Sequence, residues 1–399
     1  MSQNRFAYQS SQRRPGRAFS SPRRTKRKNA KQTIDPARFI KAAEPELSSD
    51  YQATNEFADF AMHPLLKANV TAKGYIVPSM IQDQTISLGL EGRNVVGIAN
   101  TGTGKTAAFA LPILNKLMRS ATSQALIIAP TRELAIQIEE QCKILAKSSG
   151  LSGVLLIGGN PLGRQISDLK RRPRIIIGTP GRIKDHLQQR TLNLSSCDMV
   201  VLDEVDRMLD MGFINDVRQI LSELPASHQA FFFSATLSTE IRSLIDTFTT
   251  DPVVINVKVG DTSQNVHQDV IYYSGKTQKM DLLHDLLLSE GVDKALIFGK
   301  TKYGVERLAK ELKARGFKVD ALHGGKNQGQ RGRALDAFRE NKINILVATD
   351  VAARGIDVKD ISHVINYDTP QTYDDYIHRI GRAGRAGQAG HALTFSEKP

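Results

Sequence analysis

Lys105 and Thr106 close the run Ala99-Asn-Thr-Gly-Thr-Gly-Lys-Thr106, which stands between the apolar Val95-Val-Gly-Ile98 and the helix-forming Ala107-Ala-Phe-Ala-Leu111. This order of residues is that of a phosphate-binding loop. Glycines 102 and 104 let the backbone curl so that successive N–H groups across Thr101, Gly102, Thr103 and Gly104 point at phosphate oxygens. The helix behind them presents its positive end to the same anion. Lys105 is placed to reach the outer phosphates, and the Thr106 hydroxyl to ligate Mg²⁺. Ala99 occupies the position at which such loops usually carry their first glycine.

A second constellation gives the loop a reaction to serve. In Met199-Val-Val-Leu-Asp-Glu-Val-Asp206 an apolar run too short for a buried helix ends in three carboxylates, the form of a Walker B strand. Ligand chemistry collects at the C-terminal edge of buried parallel strands, and this edge is expected beside the phosphate loop of a neighbouring strand. There Asp203 would hold Mg²⁺ through water and Glu204 would take a proton from the attacking water. Alone, the acidic turn also reads as a solvated cap on a helix from Val205 to Met211; its pairing with Lys105 and Thr106 favours hydrolysis of a nucleotide.

The elements that must carry these residues follow from the spacing of apolar runs. Val95–Ala99, Ala125–Ala129, Val154–Ile157, Ile175–Ile177, Val200–Leu202 and Phe231–Phe233 alternate with helix-period segments, which predicts a parallel sheet with helices on both faces. After Asp251-Pro252 the pattern restarts with Val270–Tyr273, Ala295–Phe298, Val319–Leu322, Ile345–Ala348, Val364–Asn366 and Ala392–Phe395. The chain therefore reads as α/β, with a first domain over 55–250, a polar, Gly-containing linker over 251–266, and a second domain over 267–399. Residues 1–54 read as a disordered basic tail.

Charge placement separates the tail from the rest. Of a net charge of +13, residues 1–50 carry +8, and a basic arm attracts phosphate backbones. A solubilising extension, an organelle transit peptide and a nuclear import signal at Pro22-Arg-Arg-Thr-Lys-Arg-Lys28 fit the same composition. Cys142 and Cys197 are too few for a disulfide framework and lack zinc-ligand spacing, which points to a reducing compartment. No apolar stretch approaches membrane-spanning length. A soluble, cytoplasmic protein without membrane contact is expected.

The motifs, taken in order from about Phe57 to Phe395, resemble those of the DEAD-box ATP-dependent RNA helicases, in their bacterial-type branch. In the first half stand Phe57, Gly74-Tyr75 and Pro78 to Gln82, similar to the adenine-reading Q motif. They are followed by the phosphate loop, Pro130-Thr-Arg-Glu-Leu134, Gly158-Gly159, Thr179-Pro-Gly-Arg182, the Walker B tetrad and Ser234-Ala-Thr236. The second half continues with Leu296-Ile-Phe298, His323-Gly324, Gln328 with Arg331, Ala348-Thr-Asp-Val-Ala-Ala-Arg-Gly-Ile-Asp357 and His378-Arg-Ile-Gly-Arg-Ala-Gly-Arg385. The tetrad is a DEVD variant, with Val205 at the alanine position. Gly299-Lys300, Lys326-Asn327 and Ala383 also depart from the commonest family residues.

The resemblance implies two tandem RecA-like domains that bind ATP with Mg²⁺ and locally unwind RNA. The Gln82 amide would donate and accept along the adenine N6 and N7 edge with Tyr75 stacked on the ring, and Asp357 would touch the ribose. Arg382 and Arg385 would act as arginine fingers. Asp206, Ser234, Thr236 and His378 would couple hydrolysis to lobe closure. Arg132, Gly159, Thr179, Arg182, Gln328, Arg331 and Thr349 would contact RNA phosphates and 2′-OH groups, with little base specificity. A non-hydrolysing RNA clamp and a DNA-directed motor on the same lobes remain alternative readings.

Overall fold

The computed structural model describes residues 34–41, 51–100, 102–257, 266–353, 358, 360–384 and 390–398. Thr101, Asp357 and Arg385, residues 258–265 of the expected linker and the first 33 residues lie outside this set, so the roles expected of them carry no structural account. The first lobe is a seven-stranded sheet made of β1 (Val95–Ile98), β2 (Gln124–Ile128), β3 (Gly153–Leu156), β4 (Ile175–Gly178), β5 (Cys197–Leu202), β6 (Gln229–Ser234) and β7 (Val253–Asn256). Its order is β3-β4-β2-β5-β6-β1-β7. The second lobe is a six-stranded sheet made of β8 (Val266–Tyr273), β9 (Ala295–Phe298), β10 (Val319–Leu322), β11 (Ile345–Ala348), β12 (His363–Asn366) and β13 (Gly390–Glu397), ordered β10-β11-β9-β12-β13-β8. Every strand pair in both sheets is parallel.

Short β-branched and aromatic runs make these strands because both faces are covered. Phe231 and Phe233 enter one core with Val95 and Leu111, whereas Phe232 between them enters another with Val96 and Leu202. In the second lobe Leu296 and Phe298 pack on one face, and Ala295 and Ile297 on the other. Val205 is fully buried in the lower core of the first lobe, so the extra methyls of the DEVD variant are absorbed by packing.

Three expectations need correction. Val253–Asn256, placed in the linker, is an edge strand paired with β1; only Ile255 of its residues is buried, and a half-exposed edge leaves little apolar signal. The tail does not extend to residue 54. Pro36–Phe39 forms a 3₁₀ turn that buries Phe39 in the second lobe, and Tyr51, Thr54 and Asn55 bond to Asp83 of the first. Finally, the phosphate-loop strand and the Walker B strand are not neighbours, because β6 lies between β1 and β5. That insertion places Ser234 between the two sets of chemistry.

Candidate functional site

The phosphate loop leaves β1 and enters the helix Lys105–Arg119 through Gly104, whose φ of 91° requires glycine. A Cβ there would also lie 2.3 Å from the Gln82 amide nitrogen. Lys105 is buried and its ammonium donates to Ala99 O at 3.0 Å, which holds it across the loop it must serve. Thr103 Oγ1 donates to Asn100 O at 2.9 Å, and Thr106 lies in the first turn of the helix.

Asp203 and Glu204 follow β5 on the same sheet edge and are nearly inaccessible, at 2% and 4% exposure. Burial pushes the Asp203 carboxyl up to about 6, against the opposing pull of Lys105. Its Oδ1 is buried without a hydrogen-bond partner among the described residues, an oxygen that suits a bound cation. Glu204 behaves in the opposite way. Burial raises its pKa, but Arg207, Lys105 and Arg382 together outweigh that and hold the group below the ordinary value. Arg207 Nη1 donates to Glu204 Oε2 at 2.7 Å with both side chains buried. Glu204 itself sits in the left-handed region, with φ 55° and ψ 55°, a backbone cost of a kind often found at functional sites.

An imidazole and a guanidinium from the second lobe complete this cluster. His378 lies on the helix Tyr373–Ile380 and Arg382 just beyond it. Burial and the nearby Arg207 lower the His378 pKa, while Asp206 opposes them, so the imidazole stands against the Walker B residues. Arg379 fixes the helix that presents these groups: its guanidinium grips Asp350 at 2.5 and 2.8 Å and donates to Asn366 Oδ1 and Asp368 O. Arg207, Arg379 and Asp350 were not singled out in the sequence. Only their adjacency to Asp206, His378 and Thr349 signals them.

Asp206 is a junction rather than a ligand. Its Oδ2 accepts from the backbone N–H of Ala235 at 2.9 Å and of Thr236 at 3.1 Å, and its N–H donates to Ser234 Oγ at 3.2 Å. The loop after β6 is thereby tied to the Walker B turn.

Gln82 is buried in the helix Met80–Leu90. Its Nε2 donates to Gly104 O at 3.1 Å and its Oε1 accepts from Ser79 N at 2.9 Å. Ser79 Oγ donates to Thr103 O, so this helix is bolted to the phosphate loop. Tyr75 packs on Phe57 with ring centroids 5.2 Å apart, and its hydroxyl accepts from Gln141.

On the opposite flank, the Arg132 guanidinium lies over Gly158 and Gly159. A Cβ on either would come within 2.8 and 2.6 Å of its nitrogens. Arg182 Nη1 donates to Asn160 O, and Thr179 stands at the N-cap position of the helix Pro180–Gln188 with no capping bond from its side chain. From the second lobe, Gln328 opens the helix Gln328–Arg339 with its Oε1 buried and unpartnered, and Thr349 follows β11. Arg331 is not presented outward. It is buried, with Nη2 2.7 Å from Glu133 Oε2 of the first lobe, close as an ion pair but without hydrogen-bond alignment. Lys326 turns to Asp320 at 2.6 Å.

Residues 79–244 match the model of the DEAD/DEAH box helicase domain, and residues 278–387 that of the helicase conserved C-terminal domain. The chain is 44% identical over 341 residues to the ATP-dependent RNA helicase CshA of Listeria monocytogenes, and 43% over 343 residues to the DEAD-box ATP-dependent RNA helicase CshA of Bacillus subtilis. This chain belongs to the DEAD-box helicase family. The matches take in 85% and 86% of the chain and 66% and 69% of those relatives, so it spans about two thirds of their length. Among solved structures, Saccharomyces cerevisiae Dbp5 bound to RNA and ADP BeF3 superposes with a TM-score of 0.76 at 31% identity, covering 86% of this chain and 90% of that one. A DEAD-box protein from Methanococcus jannaschii, 38% identical, gives 0.51 with 86% and 93% covered. Among the described residues no helix is long and apolar enough to cross a membrane.

Proposed function

We propose that this chain hydrolyses ATP and uses the accompanying closure of its lobes to bend and locally separate RNA strands. The observation that carries the reading is Glu204. It is a buried, ionised carboxylate with one oxygen engaged by Arg207, and it feels Lys105 of its own lobe and Arg382 of the other. Such a group orients a water on its free oxygen and accepts the proton as the bond to phosphorus forms.

Lys105 and Arg382 meet charge that spreads over the transferred phosphoryl, the first from the loop and the second across the cleft. Arg385 and Asp357 are assigned their finger and ribose contacts by resemblance alone. The buried, unpartnered Oδ1 of Asp203 and the Thr106 hydroxyl fit Mg²⁺, which when bound neutralises phosphate charge and orders the oxygens. Gln82 selects adenine and Tyr75 supports it. The bond of Gln82 to Gly104 O lets occupancy of the base pocket reach the phosphate loop.

Asp206, Ser234, Thr236 and His378 form the path between hydrolysis and the RNA face. Arg132, Gly159, Thr179, Arg182, Gln328 and Thr349 form that face, binding backbone rather than bases. Arg331 contributes by joining the lobes through Glu133. The likeness to a relative bound to RNA and ADP BeF3 supports reading this arrangement as the closed one. Two free, buried cysteines whose thiols burial pushes up to about 12 suit a reducing compartment, the cytoplasm.

ATPase rates with single-stranded RNA and with DNA of the same sequence test the reading. Stimulation by RNA alone is expected. Equal stimulation by DNA would favour the DNA motor, and no hydrolysis with either would favour the clamp.

A further inference from the structure

Two stretches before the first lobe are docked, and they are docked on different lobes. The earlier begins at Asp35, whose carboxylate accepts from Ala37 N at 3.0 Å and caps the turn Pro36–Phe39. Phe39 is fully buried in the core of the second lobe, its ring centroid 4.6 Å from that of Tyr376. The Arg38 guanidinium lies 4.3 Å from the Tyr373 ring centroid. Lys41 exchanges two backbone hydrogen bonds with Gln268 of the edge strand β8, at 3.0 and 2.8 Å, and Gln268 Oε1 accepts from Tyr376 Oη. All of these contacts brace β8 and the helix Tyr373–Ile380, which carries His378 and Arg379 and leads into Arg382.

The later stretch converges on Asp83, the residue after Gln82. Asp83 is 3% exposed. Its two oxygens accept from Tyr51 Oη at 2.5 Å, Thr54 N at 2.7 Å and Asn55 Nδ2 at 2.7 Å, and Phe57 N then donates to Ile76 O. The helix braced here, Met80–Leu90, is the one bonded to the phosphate loop. Only residues 42–50 separate the two docked stretches.

We propose that the docking of residues 35–41 on the second lobe and of 51–55 on the first makes the chain before the first lobe a second tether between the lobes, additional to the linker after β7, with Phe39 and Tyr51 as its anchors. The tether positions the helix bearing His378 and Arg382 and raises the effective concentration of the second lobe at the first. One end stands beside the adenine-selecting residue and the other beside the arginine-bearing helix, so the tether joins the elements that carry the two halves of the ATP site. The proposal rests on the helicase reading for its effect on turnover, and on the docking contacts alone for its effect on lobe separation. Phe39 and Tyr51 act through other residues and are positioning residues.

The decisive perturbation is an insertion of twenty Gly/Ser residues between Pro45 and Glu46 in the full chain, which leaves both docked ends intact. Effective concentration falls roughly as the −3/2 power of tether length, so a threefold lengthening gives a loss of up to about fivefold. The KM for RNA in ATP hydrolysis should rise by up to that factor, with kcat at saturating RNA and ATP unchanged. Phe39→Ala and the pair Tyr51→Phe with Asn55→Ala should each raise KM. Combining either with the insertion should raise KM by less than the product of the separate effects, since all three act on one device.

An independent readout uses fluorescence energy transfer between labels on cysteines placed at exposed Ser222 and Glu290, the native cysteines being buried. Without RNA or nucleotide, the insertion should broaden the distance distribution. An unmoved KM, additive effects, or an unchanged distribution would overturn the proposal. If Phe39→Ala fails to fold, the insertion still decides. Absence of RNA-stimulated hydrolysis in the unaltered chain refutes the helicase reading instead, and the distance measurement then decides the tether.

Discussion

Replacing Asp203 by Asn should make the metal-free protein more stable at neutral pH while destroying its activity. The carboxyl is raised from 3.8 to about 6 by burial, so the folded state holds a proton that the unfolded chain has released. Stability therefore falls as pH rises from about 4 through about 6 and stays lower above it. A shift of this size corresponds to about 3 kcal/mol at pH 7.5, and about half of that remains at pH 5. Asn removes the ionisation at nearly constant shape. For a lobe of this size about 1 kcal/mol moves the melting temperature by roughly 2–4 °C, so a rise of roughly 6–12 °C is expected at pH 7.5 in EDTA. Scanning calorimetry of both forms at pH 7.5 and pH 5 measures it. A lower melting temperature for the variant, or the same increment at both pH values, would refute the argument that desolvation of Asp203 is the dominant cost. Adding ATP with Mg²⁺ should stabilise the wild type more than Asp203→Asn, since the variant lacks the carboxylate that would help hold the metal and so binds the pair more weakly.

Three other outcomes are expected. Gln82→Ala should erode the preference for ATP over GTP in competition assays, by an amount on the order of 1–3 kcal/mol for a mispaired buried amide; equal hydrolysis of GTP by the unaltered enzyme would refute adenine selection. Arg331→Leu and Glu133→Leu should each weaken RNA-dependent closure, and the double variant should be less impaired than the sum, with a coupling of about 0.5–3 kcal/mol; strictly additive KM changes for RNA would show that the pair does not join the lobes in solution. Removing residues 1–33, which hold ten Lys and Arg and no Asp or Glu, should flatten the salt dependence of RNA affinity by roughly 0.7 in log–log slope per engaged charge, with kcat unaltered; superimposable salt curves would exclude an RNA-binding arm.

Much of this architecture is legible in the sequence because buried parallel strands and phosphate loops have few alternatives. Ile175-Ile-Ile177 and Phe231-Phe-Phe233 could only be strands covered on both faces, and the loops that follow them had to meet at one edge. The order of strands was less accessible. Nothing in β6 announces that it separates the loop strand from the Walker B strand, since that depends on pairing between distant segments. β7 escaped because an edge strand needs only one buried residue, Ile255. Phe39 escaped because one aromatic among basic and small residues carries no periodicity; its meaning lies in Tyr376, 337 positions away. Arg331 could be assigned to a motif but not to Glu133, because side-chain partners across a cleft are fixed by how the lobes meet.

Glu204 carries the central claim, and turnover of Glu204→Gln with saturating RNA tests it most directly. The amide keeps the shape but cannot take the proton, so hydrolysis should fall by about 10²–10⁴-fold while ATP still binds and RNA is retained in its presence. Hydrolysis by Glu204→Gln at the wild-type rate would contradict the assignment of this buried carboxylate as the base and, with it, the mechanism built on the cluster of Lys105, Arg207 and Arg382.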